Sequence, residues 1–299
     1  MKRYLVIALA AASVGFIAVG TASAVDTYNA NDPASGIGAS RHNLGSMGVH
    51  VVTNSTSEIC VFCHTPHHTN TTKAPIWNRG GDTASYVAYG STLGGTPIAN
   101  GDIGPTTLAC LSCHDGVTTL DNLANAPGKG GVTAGGSAQG WDFYEDAEDP
   151  MGTSPAIAMP GDRLVIGTNL SNDHPISVAY NGIDSATPKA GLRASTTTIA
   201  GIDLTGDLSA SAGTYDGGNL TKNLWAVKGY ILANATIGDL LRDGKVECSS
   251  CHDPHFSNKS FNEIDMTYGM MGEMMSDGMF LRRVGGNTGS GVCRTCHAK

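Results

Sequence analysis

The apolar positions of this chain fall in short bursts separated by turn residues. The run Leu5–Val19 follows the basic pair Lys2 and Arg3 and precedes Ala22-Ser23-Ala24. A basic start, a short apolar stretch and a small-x-small close make an export signal, so the pattern predicts removal of residues 1–24 and Val25 as the mature N-terminus. That run is too short to anchor well, and no later stretch is long and apolar enough to span a bilayer. Further along, Arg163–Ile166 and Ile176–Val178 predict short strands. The span Asn223–Leu241 predicts a helix with Trp225 and Leu232 on its apolar face. Met266, Met270, Met271, Met274, Met275 and Met279 recur at near-helical spacing and read as flexible packing rather than as ligands. Ser195-Thr196-Thr197-Thr198 reads as a polar turn or strand, open to O-glycosylation.

Composition makes this sparse pattern harder to reconcile with an ordinary core. There are 40 glycines, and aromatic residues make up only 6% of the chain. A chain so built is short of its own core material, and a covalent cofactor would supply apolar bulk. The formal net charge is −8. Loss of Lys2 and Arg3 with the signal takes two positive charges and no negative ones, giving −8 − 2 = −10. Nucleic acid is excluded as a partner class, since phosphate binding needs clustered Lys and Arg.

The eight cysteines change the picture. All fall in one spacing, as Cys60-Val-Phe-Cys63-His64, Cys110-Leu-Ser-Cys113-His114, Cys248-Ser-Ser-Cys251-His252 and Cys293-Arg-Thr-Cys296-His297. C-x-x-C-H is the attachment signature of c-type haem. The two thiols form thioethers to the two vinyl groups on one porphyrin edge, and the adjacent His turns under the ring to ligate iron. Structural disulfides, zinc and thioredoxin-like redox chemistry compete, but none of them requires a histidine after every second cysteine. The sequence therefore predicts four covalent haems, with His64, His114, His252 and His297 as proximal ligands.

Ten histidines are present, so 10 − 4 = 6 remain: His42, His50, His67, His68, His174 and His255. Four distal ligands suffice for a complete bis-His set, so nothing forces an open iron of the kind a multihaem reductase uses. A loose repeat selects four of the six. The first copy runs His42, C-x-x-C-H-x-P-H ending at His67, then the motif ending at His114. The second runs His174, C-x-x-C-H-x-P-H ending at His255, then the motif ending at His297. His50 and His68 fall outside the repeat and are the weaker candidates. Pro66 and Pro254 interrupt the helices that carry the attachment motifs. His67 and His255 then lie on the proximal side of their own haems, which predicts that each ligates a neighbouring haem.

The organisation follows from these positions: residues 25–126 for the first haem pair, 127–245 as a haem-free Gly/Thr-rich surface region, and 246–299 for the second pair. The expected fold is mostly irregular, with short helices, a few short strands and the haem stack as its core. Cys60-Val-Phe-Cys63 and Cys110-Leu-Ser-Cys113 should begin short helices.

Several contexts are more specific than the attachment motif: Cys60-Val-Phe-Cys-His-Thr-Pro-His67, Pro75-Ile-Trp-Asn-Arg79, Cys110-Leu-Ser-Cys-His-Asp-Gly116, Asp173-His-Pro-Ile-Ser-Val178 and Gly244-Lys-Val-Glu-Cys-Ser-Ser-Cys-His-Asp-Pro-His255. In this order they resemble the tetrahaem cytochromes of metal-reducing bacteria, in particular the outer-membrane cytochrome E type, whose members polymerise into extracellular filaments. The resemblance covers most of residues 40–120 and 240–299 and the segment around His174. It implies a bis-His haem chain along a filament, extracellular or cell-surface placement, and other multihaem cytochromes or metal oxides as redox partners. It also implies an axial histidine supplied by the adjacent subunit, for which His42, near the mature N-terminus, is the candidate. The expected role is long-range electron transfer without bond-breaking catalysis. A soluble periplasmic or cell-surface tetrahaem carrier is the alternative, and a multihaem reductase the more distant one.

Overall fold

The computed structural model describes residues 36–40, 42–48, 52–80, 84–89, 102–125, 165–180, 191–204, 214–215, 218–219, 223–228, 230–256, 280–284, 286–287 and 290–298. The signal segment, His50 and the methionine stretch 266–279 lie outside them. Helices among the described residues are short: α1 (Pro105–His114), α2 (Cys248–Cys251) and α3 (Gly291–Cys296). None is long and apolar enough to cross a membrane. Strands come in antiparallel pairs of two residues each: β1 (Val178–Ala179) with β6 (Lys245–Val246), β2 (Thr214–Tyr215) with β3 (Gly218–Asn219), and β4 (Ala226–Val227) with β5 (Tyr230–Ile231).

Local chemistry sets these bounds. Pro105 opens α1, where its missing N–H costs nothing and its fixed φ suits the first turn. Asp115 then ends α1 by accepting the N–H groups of Val117 and Thr118, which bends the chain away. α2 starts in a reciprocal cap between Glu247 and Ser250. The second attachment motif thus ends a helix that begins at Pro105, instead of starting one. The first forms a single 3-10 turn, Cys60–Phe62.

Three sequence expectations need correction. Val165 and Ile166 are not in a strand; the Ile166 N–H donates to the His114 carbonyl. In Ile176–Val178 only Val178 joins a strand, because Ser177 takes a positive φ of 58° that breaks the extended run. No helix spans Asn223–Leu241. Lys228, at φ 53°, turns the chain between β4 and β5, and a 3-10 turn follows at Ile237–Leu240. The β-branched Val227 and Ile231 suit this hairpin better than a helix. Trp225 is buried at 1% exposure, while Leu232 is exposed.

The middle of the chain, expected as surface, supplies a substantial apolar cluster. Tyr180, Ile199, Ile202, Leu204, Trp225, Val227, Ile237 and Leu240 pack together and against Cys296 of the fourth motif. These residues come from four separate short stretches, around Tyr180, Ile199–Leu204, Trp225–Val227 and Ile237–Leu240, so no single helix or strand period announces them. A second cluster joins Val61, Phe62, Leu120 and Leu123 to Cys63 and Cys113. Packing is tight where Gly291 opens α3, since a Cβ there would collide with the Arg283 guanidinium. Gly291→Ala is expected to cost about 1–3 kcal/mol of stability, read as a lowered denaturant midpoint of the loaded protein.

The two C-H-x-P-H units fold alike, bond for bond. The N–H groups of Thr65 and Asp253 donate to the carbonyls of Ile76 and Phe280. Those of Asn78 and Arg282 donate to the carbonyls of Cys63 and Cys251. Ile76 and Phe280 share a positive φ, 53° and 57°. A third segment pairs outside each return strand, through Ala124 N–H to the Asn78 carbonyl and Ala226 N–H to the Arg282 carbonyl. The difference is connection length: residues 68–75 close the first unit, and 256–279, with the methionine stretch, close the second.

Candidate haem-attachment site

All eight cysteines are free thiols. Burial pushes Cys63 and Cys251 up to about 12 and Cys296 up to about 11. Cys110 is also raised, first by its hydrogen bond with Cys248 and then by burial. Surroundings that disfavour a thiolate suit a neutral thioether. Cys248 is shifted the other way, lowered first by its hydrogen bond with Cys110. The neighbouring groups also order the motifs in space. Cys63 feels Cys113, Cys110 hydrogen-bonds Cys248, and Cys251 feels Cys296. The four motifs are therefore contiguous in chain order.

The histidines gather in pairs. The ring centroids of His64 and His255 are 5.9 Å apart, those of His42 and His114 6.1 Å, and those of His174 and His297 6.4 Å. An imidazole nitrogen bonds a transition metal at about 2 Å and lies roughly 1 Å from its own centroid, so two rings on opposite sides of one ion stand roughly 6 Å apart. Each pair joins one proximal histidine to one distal candidate. No group of three or more His, Cys, Asp or Glu among the described residues could hold a metal ion. Paired imidazoles at this spacing are of a size with the axial ligands of a haem iron.

The distal rings are prepared for this role. The Pro175 carbonyl accepts from Nδ1 of His174 at 3.0 Å, and Asp253 Oδ1 accepts from Nδ1 of His255 at 3.1 Å. In both cases the proton sits on Nδ1 and the Nε2 lone pair is left for a metal. Burial first, then His114, His255 and His252, pushes the His42 pKa down to about 3, which keeps its ring in the neutral, metal-binding form. His42 also stacks on Phe280 at 4.3 Å, with an interplanar angle of 4°.

His255 meets a neighbouring motif's histidine, as the C-H-x-P-H spacing predicts. Its counterpart His67 does not: it is exposed, and its ring meets no other aromatic ring among the described residues. His68 is exposed too, at a positive φ of 55°. Three of the four distal candidates, His42, His174 and His255, thus lie beside a histidine of a C-x-x-C-H motif. His42, the candidate for a ligand crossing between subunits, lies against His114 of its own chain.

Sequence reasoning missed a set of donors that clamp the attachment loops. Inside each C-x-x-C loop a backbone carbonyl points outward and accepts from a side chain. Asn78 donates to Val61, Arg79 to Ser112, Arg282 to Ser249 and Arg193 to Arg294. Pairing Ile76-Trp77-Asn78-Arg79 with Phe280-Leu281-Arg282-Arg283 as repeat equivalents is the signal that would have found three of the four. A buried polar network also ties α1 to α2: Glu247 accepts from Thr107 and Ser177, and Ser177 in turn accepts from the Gly104 N–H. Burial raises the Glu247 pKa, opposed by those hydroxyl donors. Glu247→Gln retains an oxygen acceptor and is expected to keep full haem content on a pyridine haemochrome assay, whereas Glu247→Leu is expected to lower it.

No family model matches the chain, and no curated protein sequence matches it.

Proposed function

We propose that this chain is a tetrahaem c-type cytochrome for long-range electron transfer outside the cytoplasm, acting as a subunit of a conductive filament. The observation that carries the tetrahaem reading is the triple pairing of C-x-x-C-H histidines with distal histidines at 5.9–6.4 Å. When bound, haem supplies a one-electron couple at its iron.

The remaining work belongs to the chain. Cys60 and Cys63, Cys110 and Cys113, Cys248 and Cys251, and Cys293 and Cys296 would each hold one porphyrin edge. His64, His114, His252 and His297 would supply the proximal nitrogens, and His255, His42 and His174 the distal nitrogens for the first, second and fourth sites. Imidazole on both sides leaves no coordination position for substrate and sets a lower potential than a His/Met pair would. His255 stands three residues beyond His252 and reaches His64, so one short stretch of chain bridges two sites. With the thiol contacts between successive motifs, this gives short steps through the molecule.

The filament reading adds the resemblance carried by the C-H-T-P-H, D-H-P and S-C-H-D-P-H contexts. Its test is negative-stain electron microscopy of the sheared surface fraction of expressing cells, beside a haem-stained gel. Uniform thin filaments with a haem-positive band of the expected mass are the expected result. Dispersed haem-positive particles across salt and pH would overturn the polymer and leave a diffusible carrier. Azide and cyanide are expected to shift no more than one haem's share of the Soret band, that of the third site, for which the described residues pair no distal histidine with His252; a shift of more than one haem would reveal further open irons and point to a reductase.

A further inference from the structure

Because the two C-H-x-P-H units make the same backbone bonds, their differences show what each site does on its own account. Two equivalent positions differ in charge. Asn78, a neutral amide, clamps the first attachment loop at the Val61 carbonyl, and Arg282, a cation, clamps the third at the Ser249 carbonyl, 2.8 Å away. Thr65 occupies in the first unit the place that Asp253 holds in the second, and Thr65 Oγ1 donates only to the His67 carbonyl.

The two charged side chains of the second unit have different hydrogen-bond partners. The Asp253 carboxylate is 17% exposed and is turned to Nδ1 of His255, the imidazole that faces His64 of the first motif. Asp253 Oδ1 lies 3.1 Å from that nitrogen and also accepts from the His255 backbone N–H. The Arg282 side chain is 1% exposed. Its N–H groups go to the carbonyls of Ala226, Leu240 and Ser249. Burial and then Arg242 lower its pKa to about 10, with Asp253, Cys251 and Asp239 opposing, so it stays charged at neutral pH.

A carboxylate that accepts the Nδ1 proton makes an axial imidazole more basic and favours the oxidised iron. A fixed buried cation beside an attachment loop favours the reduced iron, which carries one positive charge fewer. We propose that Asp253 and Arg282 split the potentials of two haems joined by the short stretch His252–His255. Asp253 lowers the first haem, held by His64 and His255, and Arg282 raises the third, held by Cys248 and Cys251. Electrons then pass downhill from the first site to the third. The inference rests on the tetrahaem reading.

The test is spectroelectrochemical titration of the full, haem-loaded chain, with haem content measured on the same sample. Asp253→Asn is expected to raise one of the resolved steps, and Arg282→Gln to lower a different one. Each shift should be about tenfold in that haem's reduction equilibrium, or about 59 mV for one electron. Arg282→Lys, which keeps the charge, should leave the step in place. Hyperfine-shifted haem methyl signals should assign the Asp253→Asn shift to the haem bound by His64. Four haems per chain with no shift, with shifts of the same sign, or with both shifts on one haem would overturn the proposal. If Arg282→Gln loses a haem, Asp253→Asn and Arg282→Lys still decide it. Fewer than four haems in the unaltered chain would instead overturn the tetrahaem reading.

Discussion

His255→Ala is expected to turn one haem per chain from low spin to high spin while all four stay covalently attached. His255 Nδ1 is held by Asp253, which leaves Nε2 for a metal, and the His255 and His64 rings lie 13° from parallel at 5.9 Å. Removing that imidazole takes one axial ligand from the first site and touches no thioether cysteine. The effect should appear at the haem of Cys60 and Cys63, although the substitution lies beside the motif of Cys248 and Cys251. Electron paramagnetic resonance of the oxidised protein should show a high-spin signal integrating to about one haem per chain, and cyanide should bind at that site. The expected rise in cyanide affinity is about 100-fold or more, in line with the effect of losing a metal-site group. A fully low-spin spectrum would remove His255 from the ligand set. Loss of the haem at Cys248 and Cys251 would show that His255 serves its own motif instead.

The attachment chemistry was legible in the sequence because it is local. Thioether spacing and the adjacent proximal histidine are fixed within five residues, so Cys60 to His64 can be read without a fold. The distal ligands were legible only in part. The repeat selects His42 and His174 but not their neighbours, which are His114 and His297. His255 crosses to the first motif, as the proline between it and His252 suggests. His67 has the same C-H-x-P-H context but lies exposed; local spacing does not fix where the second histidine's ring goes. The helix expected over Asn223–Leu241 failed for a related reason. Trp225 and Leu232 have helical spacing, yet the positive φ at Lys228 turns them apart, and Trp225 Nε1 donates to Asn223 and Thr295 instead. Tertiary partners overrode a weak period.

Arg79 reads in the sequence as one cation among several, yet its position makes it a structural keystone of the first haem pair. The side chain is 1% exposed. Its guanidinium donates to the carbonyls of Ser112 and Thr119 at 2.9 and 2.6 Å, and also to that of Leu120. Ser112 lies inside the second attachment loop, while Thr119 and Leu120 belong to the turn that follows α1. One planar fork therefore fastens the loop to that turn, a geometry that a lysine point charge does not reproduce. Arg79→Leu would take the guanidinium from the Ser112 and Leu120 carbonyls, at about 1–3 kcal/mol each before relaxation, while the Thr119 carbonyl keeps the Asn122 N–H. The net loss is expected to be about 3–5 kcal/mol, the range seen when a buried charge partner is removed. Arg79→Lys should recover part of it by satisfying one or two of the three acceptors. Guanidinium denaturation of the haem-loaded protein, followed by far-ultraviolet circular dichroism, measures both variants. A loss of less than about 1 kcal/mol for Arg79→Leu would place it in the range of ordinary surface changes and remove the clamp from the account of this fold.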